Sequence, residues 1–280
     1  MTAPSLRGAL LAAAALALTV WNGPAPAQGL SAGGQGLPIA VDADQAIEWH
    51  QEQKAYVARG NAVAKRGDMT LSAGTLVAYY REMPNGGTEI YRLAADGKVH
   101  IFSPTQNVYG DRAVYDLDKQ VAVVTGDALK LTTPTDVVTA RDSLEYWDAQ
   151  QLAVARGDAV AVRDVNRIRA DLLIGKFGES KPGVLEMQRL DGQGNVVITT
   201  PTDIARGQRG TYDIKTNMAT LTGDVYLTRG DSQLVGQTAE VNMNTGVSRL
   251  LNTGDGKGGR VHGRFVPGER PGGGTGGPAQ

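Results

Sequence analysis

The chain repeats itself at a fixed distance of 97 residues. Val57–Ala64 reads VARGNAVA and Val154–Ala161 reads VARGDAVA, so seven of eight positions agree. Ser103–Asp127 and Thr200–Asp224 agree at ten of 25 positions without a gap. Glycines in polar, turn-like pieces stand at 60, 97, 126, 157, 194 and 223, with spacings of 37, 29, 31, 37 and 29. The first three map onto the last three by the same offset. Agreement of this kind at a fixed period marks an internal duplication.

Within each half a shorter unit recurs. An alternating run such as Ala113-Val114-Tyr115-Asp116-Leu117 leads into a polar turn, Asp118-Lys119-Gln120. A second run, Val121 to Thr125, passes through Gly126-Asp127 into a third. Thr211-Tyr212-Asp213-Ile214 and Leu144-Glu145-Tyr146-Trp147 are cognates of such runs. Period-two alternation between short polar or glycine turns predicts half-buried antiparallel strands. With 37 Gly and 5% aromatic residues, many short elements are expected rather than long helices. Asn85-Gly86-Gly87 predicts a longer hairpin loop, and Glu179 to Gly183 its equivalent in the second half.

The two ends read differently. Arg7, the apolar run Gly8 to Val20 and the small residues Ala25-Pro26-Ala27 form a signal-peptide pattern, cleaved before Gln28. That predicts an exported, periplasmic chain; an uncleaved anchor is the other reading of the same segment. The apolar run of 13 residues is short for a membrane span. Residues 252–280 hold 11 of the 37 glycines, and residues 268–280 are expected to be disordered. Arg260 to Pro267 could form a last edge strand. The expected division is a signal peptide at 1–27, a linker at 28–37, repeat blocks at 38–134 and 135–267, and a tail at 268–280.

Catalysis is hard to build from these residues. There is no cysteine, so disulfides, thiolate metal sites and a Cys nucleophile are excluded. His50, His100 and His262 read as strand or turn histidines, and no nucleophile elbow, HExxH or phosphate-binding loop occurs. Gly254-x-Gly256-x-x-Gly259 lies in a low-complexity tail, outside the strand–helix context a dinucleotide fingerprint needs. Arg-Gly-Asp at 66–68, 156–158 and 229–231 reads as turn chemistry, not adhesion. Asp42, Asp44, Asp116 and Asp213 mark strand ends without the convergence a metal needs. The expectation is no enzyme, no cofactor and no metal. A net charge of −1 favours neither nucleic acid nor an anionic surface.

The informative pattern is apolar. Val99/Ile101, Val196/Ile198, Val225/Leu227 and Ala159/Ala161 occupy the second and fourth positions after a glycine, which places each pair on one face. In a sealed sandwich that face is core; in an open one it is a groove. Lys130 breaks the pattern, with Leu129 and Leu131 on the other parity.

The opening segment Leu37-Pro38-Ile39-Ala40-Val41-Asp42-Ala43-Asp44, the pairs Gly60-Asn61, Gly126-Asp127, Gly194-Asn195 and Gly223-Asp224, the strands at Tyr115-Asp116 and Tyr212-Asp213 and the exit Val266-Pro267 together resemble the OstA-like family, which includes LptA, over residues 37–267. The resemblance implies an all-β fold: a twisted, open β-jelly roll of two antiparallel sheets built from tandem repeats. It implies a carrier that shields the acyl chains of lipopolysaccharide during transport between the inner and outer membranes. Ile39, Val41, Val99, Ile101, Val196, Ile198, Val225 and Leu227 are the expected lipid-binding residues. An LptC-like inner-membrane protein and an LptD-like outer-membrane protein would join by edge-strand addition, and copies could stack head to tail. The duplication departs from the family pattern, since a typical soluble member has about half this repeat length. A membrane-anchored LptC-like subunit and a polysaccharide-binding β-solenoid are the alternative readings.

Overall fold

The computed structural model describes residues 39–84, 86–181, 184–201, 203–242, 248–252 and 261–265. The signal segment, the linker, the glycine-rich tail, Asn85, Pro182, Gly183 and Val266-Pro267 lie outside them. Every described element is a strand, and all pair antiparallel in one 18-stranded sheet.

The order of pairing follows the chain. β1 (Ala40–Asp42) and β2 (Ala46–His50) together flank β3 (Ala55–Arg66). Then come β4 (Met69–Glu82), β5 (Thr88–Ser103) and β6 (Gln106–Asp116). β6 is flanked by β7 (Val121–Thr125) and β8 (Leu129–Thr132), and these by β10 (Ser143–Trp147) and β9 (Asp136–Ala140). β9 and β10 both pair with β11 (Leu152–Arg163). The meander continues through β12 (Asn166–Lys181), β13 (Val184–Thr199), β14 (Asp203–Asp213), β15 (Met218–Arg229) and β16 (Ser232–Asn242). β17 (Ser248–Leu251) and β18 (His262–Arg264) close the series on β16. The edge strand expected within Arg260 to Pro267 is thus β18.

The 97-residue offset is exact to the residue in several strands. Ala55–Arg66 recurs as Leu152–Arg163, Gln106–Asp116 as Asp203–Asp213, and Ala46–His50 as Ser143–Trp147. One unit was built twice, and the copies were joined through β7–β10 and β8–β9 into one sheet.

Five of the six glycine pieces expected to be turns between strands lie inside them; Gly126-Asp127 lies between β7 and β8. Register shifts occur at Arg59/Ala62, Asp96/Val99, Arg156/Ala159, Gln193/Val196 and Thr222/Val225. At each, a glycine with φ between +73° and +84° precedes a residue with φ of 42–52°. Gly157 (φ +78°) followed by Asp158 (φ +47°) is typical. Glycine enters this region without strain and Asn or Asp tolerates it, so the Gly-Asn/Asp pair encodes a β-bulge. Of the three Arg-Gly-Asp pieces, 66–68 and 229–231 are turns while 156–158 is a bulge. In the second half the strand continues through Glu179 to Lys181, so the loop there is shorter than expected.

Each bulge bends its strand, and the bends align. The line of bulges divides the sheet into two arms, one on each side of it, and buried residues from both arms share one core cluster. The first arm carries segments such as Val99–Ser103 and the second segments such as Thr88–Asp96. Small and medium residues beside the bend from both arms form the core: Ala58, Ala62, Ala95, Val99, Ala155, Ala159, Val196, Leu221 and Val225.

Candidate functional site

Core-facing residues stand in rows at successive distances from the bulges. On the first arm the innermost row contains Val99, Val196 and Val225, each no more than 2% exposed. The next row is paired rung to rung: Val41↔Ala64↔Leu71↔Ile101↔Val108↔Leu131↔Val138↔Ala161↔Ile168↔Ile198↔Ala205↔Leu227↔Leu234. Every member is apolar. Ile101, Leu131, Ile168, Ile198 and Leu227 pack on the core yet remain half-buried. At about 4.8 Å per strand, thirteen rungs make a stripe about 60 Å long.

On the second arm Tyr56, Ala78, Leu93, Tyr115, Ala122, Tyr146, Ala153, Gly175, Leu190, Tyr212, Ala219 and Val241 are likewise paired rung to rung. Burial pushes the phenols of Tyr115, Tyr146 and Tyr212 up. Arg66, at the end of β3 on the first arm, partly offsets the rise at Tyr115; its 97-residue cognate Arg163 does the same at the cognate Tyr212. The arms thus come within electrostatic reach of each other twice, at equivalent places.

Beyond the apolar stripe the first arm ends in a polar rim. Asp136 accepts two hydrogen bonds from Arg163, both at 2.6 Å, and Asp203 two from Arg229 at 2.6 and 2.7 Å. Each Asp N–H donates to the hydroxyl of the threonine three residues before it (Asp136 to Thr133, 2.9 Å; Asp203 to Thr200, 3.0 Å). Burial raises the pKa of Asp136, but hydrogen bonds from Arg163, Thr135 and Thr133 with the Arg163 charge outweigh it, leaving a net lowering. The apolar row is therefore bordered by charge-assisted hydrogen bonds.

The outer surface is different chemistry. At the bend, Arg141, Asp142, Arg156, Asp158, Arg169 and Asp171 line a recess of about 430 Å³. Its charges are paired: Arg141 with Asp142, Arg156 with Glu145, and Arg169 with Asp158. On the outer face of the first arm, His100 stacks between Tyr109 (4.4 Å) and Phe102 (4.9 Å). Among the described residues no group of three or more His, Asp or Glu side chains could hold a metal.

All eight residues singled out from the sequence belong to the first arm. Ile101, Ile198 and Leu227 are half-buried in one row, and Val41 is its exposed first member. Val99, Val196 and Val225 stand one row deeper, sealed at the bend, and Ile39 precedes β1 at the exposed end. Leu129 and Leu131 also face inward: the strand breaks between β7 and β8, adding one residue after Gly126, so Lys130 points outward in register with Tyr109. The sequence reading missed the tyrosine row and the Asp–Arg rim. The tyrosines were visible as alternation at Tyr115 and Tyr212, and the rim as a repeated Thr-Pro-Thr-Asp.

Comparison with known proteins adds the following. A sequence profile described as LptA/(LptD N-terminal domain) LPS transport protein matches residues 40–142 and again 138–247. An uncharacterized protein of Rhizobium meliloti (strain 1021) is 29% identical over 139 residues, covering 46% of this chain and 74% of its own. The crystal structure of LptH, described as the LptA homologous periplasmic component of the lipopolysaccharide transport device from Pseudomonas aeruginosa, matches with a TM-score of 0.36 and 20% identity, over 43% of this chain and 83% of that one.

Proposed function

We propose, for a chain that belongs to the LptA/(LptD N-terminal domain) LPS transport protein family, that it carries lipopolysaccharide across the periplasm with the acyl chains in the trough between its arms. The observation that carries this reading is the unbroken apolar row from Val41 to Leu234 through both repeats, in which Ile101, Leu131, Ile168, Ile198 and Leu227 are half-buried. Hydrocarbon in water is unfavourable by about 0.8 kcal/mol per CH₂. A stripe continuous over both repeats lets a chain move along it without re-entering water. Ile101, Ile198, Leu227 and Val41 would touch the lipid directly. Val99, Val196 and Val225 would form the floor, with Ile39 at the mouth. The chain supplies no covalent chemistry in this account, and the energy for movement comes from elsewhere.

The two ends of the sheet suit assembly. β1 and β2 pair only with β3, and β17 and β18 only with β16, among the described residues. Each end leaves a row of backbone donors and acceptors free for a partner strand. LptC-like and LptD-like proteins, or further copies in head-to-tail stacks, would extend the trough in this way. Because one chain holds two repeat blocks, it would do the work of two stacked units.

Purification from envelope extracts under non-denaturing conditions, followed by mass analysis of bound lipid, tests the reading. Lipid A species should co-purify. A chain that comes out lipid-free from cells that make lipopolysaccharide, and that fails to bind it when added back, would refute it.

A further inference from the structure

The two repeat blocks treat one position inside the trough differently. In the first, Trp49 on β2 donates its indole N–H to the Tyr80 hydroxyl at 2.8 Å. Tyr56 lies between them, its ring 6.1 Å from Trp49 and 5.1 Å from Tyr80. Ninety-seven residues on, these positions are Tyr146, Phe177 and Ala153. Phenylalanine removes the oxygen that served as partner, and alanine removes the ring between. Phe177 leans over Gly175, with Cε2 3.4 Å from where a Cβ would stand, and Ala122 flanks Tyr146 on the other side.

Tyr146 is thereby left with a polar group and no use for it within the fold. Tyr146 is 7% exposed, shares a strand face with the core residue Leu144, and its hydroxyl has no hydrogen-bond partner. Buried hydroxyls are ordinarily satisfied, so an orphan facing a binding space marks a place for a ligand's polar atom. Burial first, then the charges of Asp148 and Tyr115, push this phenol up to about 12, so it stays a neutral donor at any physiological pH.

We propose that the Tyr146 hydroxyl is a hydrogen-bond donor to the ester or amide carbonyl that joins a fatty acyl chain to its headgroup, and so sets where along the trough a lipid pauses. The hydroxyl is covered in this structure, so a ligand carbonyl would reach it by displacing the side chains over it. The site is specific to the junction of the two blocks, because the first block satisfies its own counterpart internally. This inference rests on the transport reading and adds to it a point of registration in an otherwise featureless apolar stripe.

The test is equilibrium binding of purified lipopolysaccharide, and separately of phosphatidylethanolamine, to the full chain and to Tyr146→Phe and Phe177→Tyr. Tyr146→Phe should bind lipopolysaccharide about fivefold more weakly, the effect of one lost neutral hydrogen bond, with a melting temperature no lower than the parent's. Phe177→Tyr should weaken binding similarly, by giving Tyr146 an internal partner where Tyr80 stands in the first block. An equal loss with phosphatidylethanolamine supports recognition of any acyl carbonyl, whereas a loss confined to lipopolysaccharide assigns the site to the sugar-linked one. Unchanged lipopolysaccharide binding in Tyr146→Phe, or a fall in its melting temperature, overturns the proposal while leaving the trough intact. If the parent chain binds neither lipid, the transport reading fails and this inference with it.

Discussion

The strand pair β1/β2 and its duplicate β9/β10 are one unit in two settings. β1/β2 has a neighbour on one side only, whereas β9/β10 lies between β11 and the β7/β8 pair. Ile47 is 60% exposed and its cognate Leu144 7%; Trp49 is 59% exposed and its cognate Tyr146 7%. The ion pairs change in parallel. Glu48 accepts from Arg59 at 3.2 Å and lies against His50 at 2.5 Å, and its side chain is 37% exposed. Glu145 accepts from Arg156 at 2.6 and 3.3 Å, from Ser143 at 2.8 Å and from Trp147 at 2.9 Å, and its side chain is 9% exposed. The same sequence pattern is thus an open edge in one place and a sealed seam in the other. What differs is whether a strand has been added beside it. The seam is the structure's own example of how the free edge would look when a partner strand docks.

Substitutions at cognate sites should separate the two settings. The largest effect is expected for Leu144→Asp, which buries an unpaired charge between two strands and should destabilise by about 4 kcal/mol or more. Ile47→Asp at the edge should shift the same urea unfolding curve by under ~1 kcal/mol. Equal shifts would mean the edge is already covered in solution. Next comes Gly157→Ala. The backbone there has φ +78° and a Cβ would run into the Asp142 carboxylate, so about 2 kcal/mol is expected. Gly86→Ala, at φ +82° in a loop with open space around it, should show only the backbone part, about 1 kcal/mol. Calorimetric melting of both variants would show whether the bulge carries strain beyond its dihedral angles.

Glu145→Gln should destabilise by roughly 1–2 kcal/mol, because a charge-assisted network is weakened in a dry place. Glu48→Gln should move the unfolding midpoint much less. The smallest expected effect is in the acid limb. At Glu145 burial raises the pKa, but hydrogen bonds from Arg156, Trp147 and Ser143 outweigh it, so the net shift is downward, as at Asp136. Both groups titrate lower folded than unfolded. Their stabilisation is therefore complete above the unfolded values near ~4 and is lost as pH falls through the lower folded values. A pH series of unfolding midpoints should steepen below pH ~4 in the parent and flatten in the double variant Glu145→Gln, Asp136→Asn. Identical slopes would mean the two carboxylates do not hold the seam and the rim.

Much of this architecture is legible in the sequence, because strand parity and duplication are both local patterns. Ile101 and Ile198 stand on the same inner row because alternation within a strand and the 97-residue offset carry one face through both blocks, whereas the cognate of Leu227 is the outward Lys130, since the strand breaks after Gly126 in the first block. The glycines were legible as special positions but not as bulges. A Gly-Asx pair has the same dihedral needs in a hairpin turn and in a bend, and only strand pairing distinguishes them. Depth was not legible either. Val99 and Ile101 read alike along the chain, yet one sits on the floor and the other on the wall, since depth depends on the fold line. Nor could the orphan hydroxyl of Tyr146 be found by reading forward. It emerges only when Tyr80 and Phe177 are compared at cognate places in two copies of the same strand pair.

The central claim is that the inner face of the first arm touches lipid and the outer face does not. Photo-crosslinking side chains placed at Ile101 and Ile198, and separately at His100 and Val197 on the opposite face, address it in living cells. Adducts with lipopolysaccharide should form at the first two positions and not at the second two. Adducts at both faces alike, or only at His100 and Val197, would contradict the account.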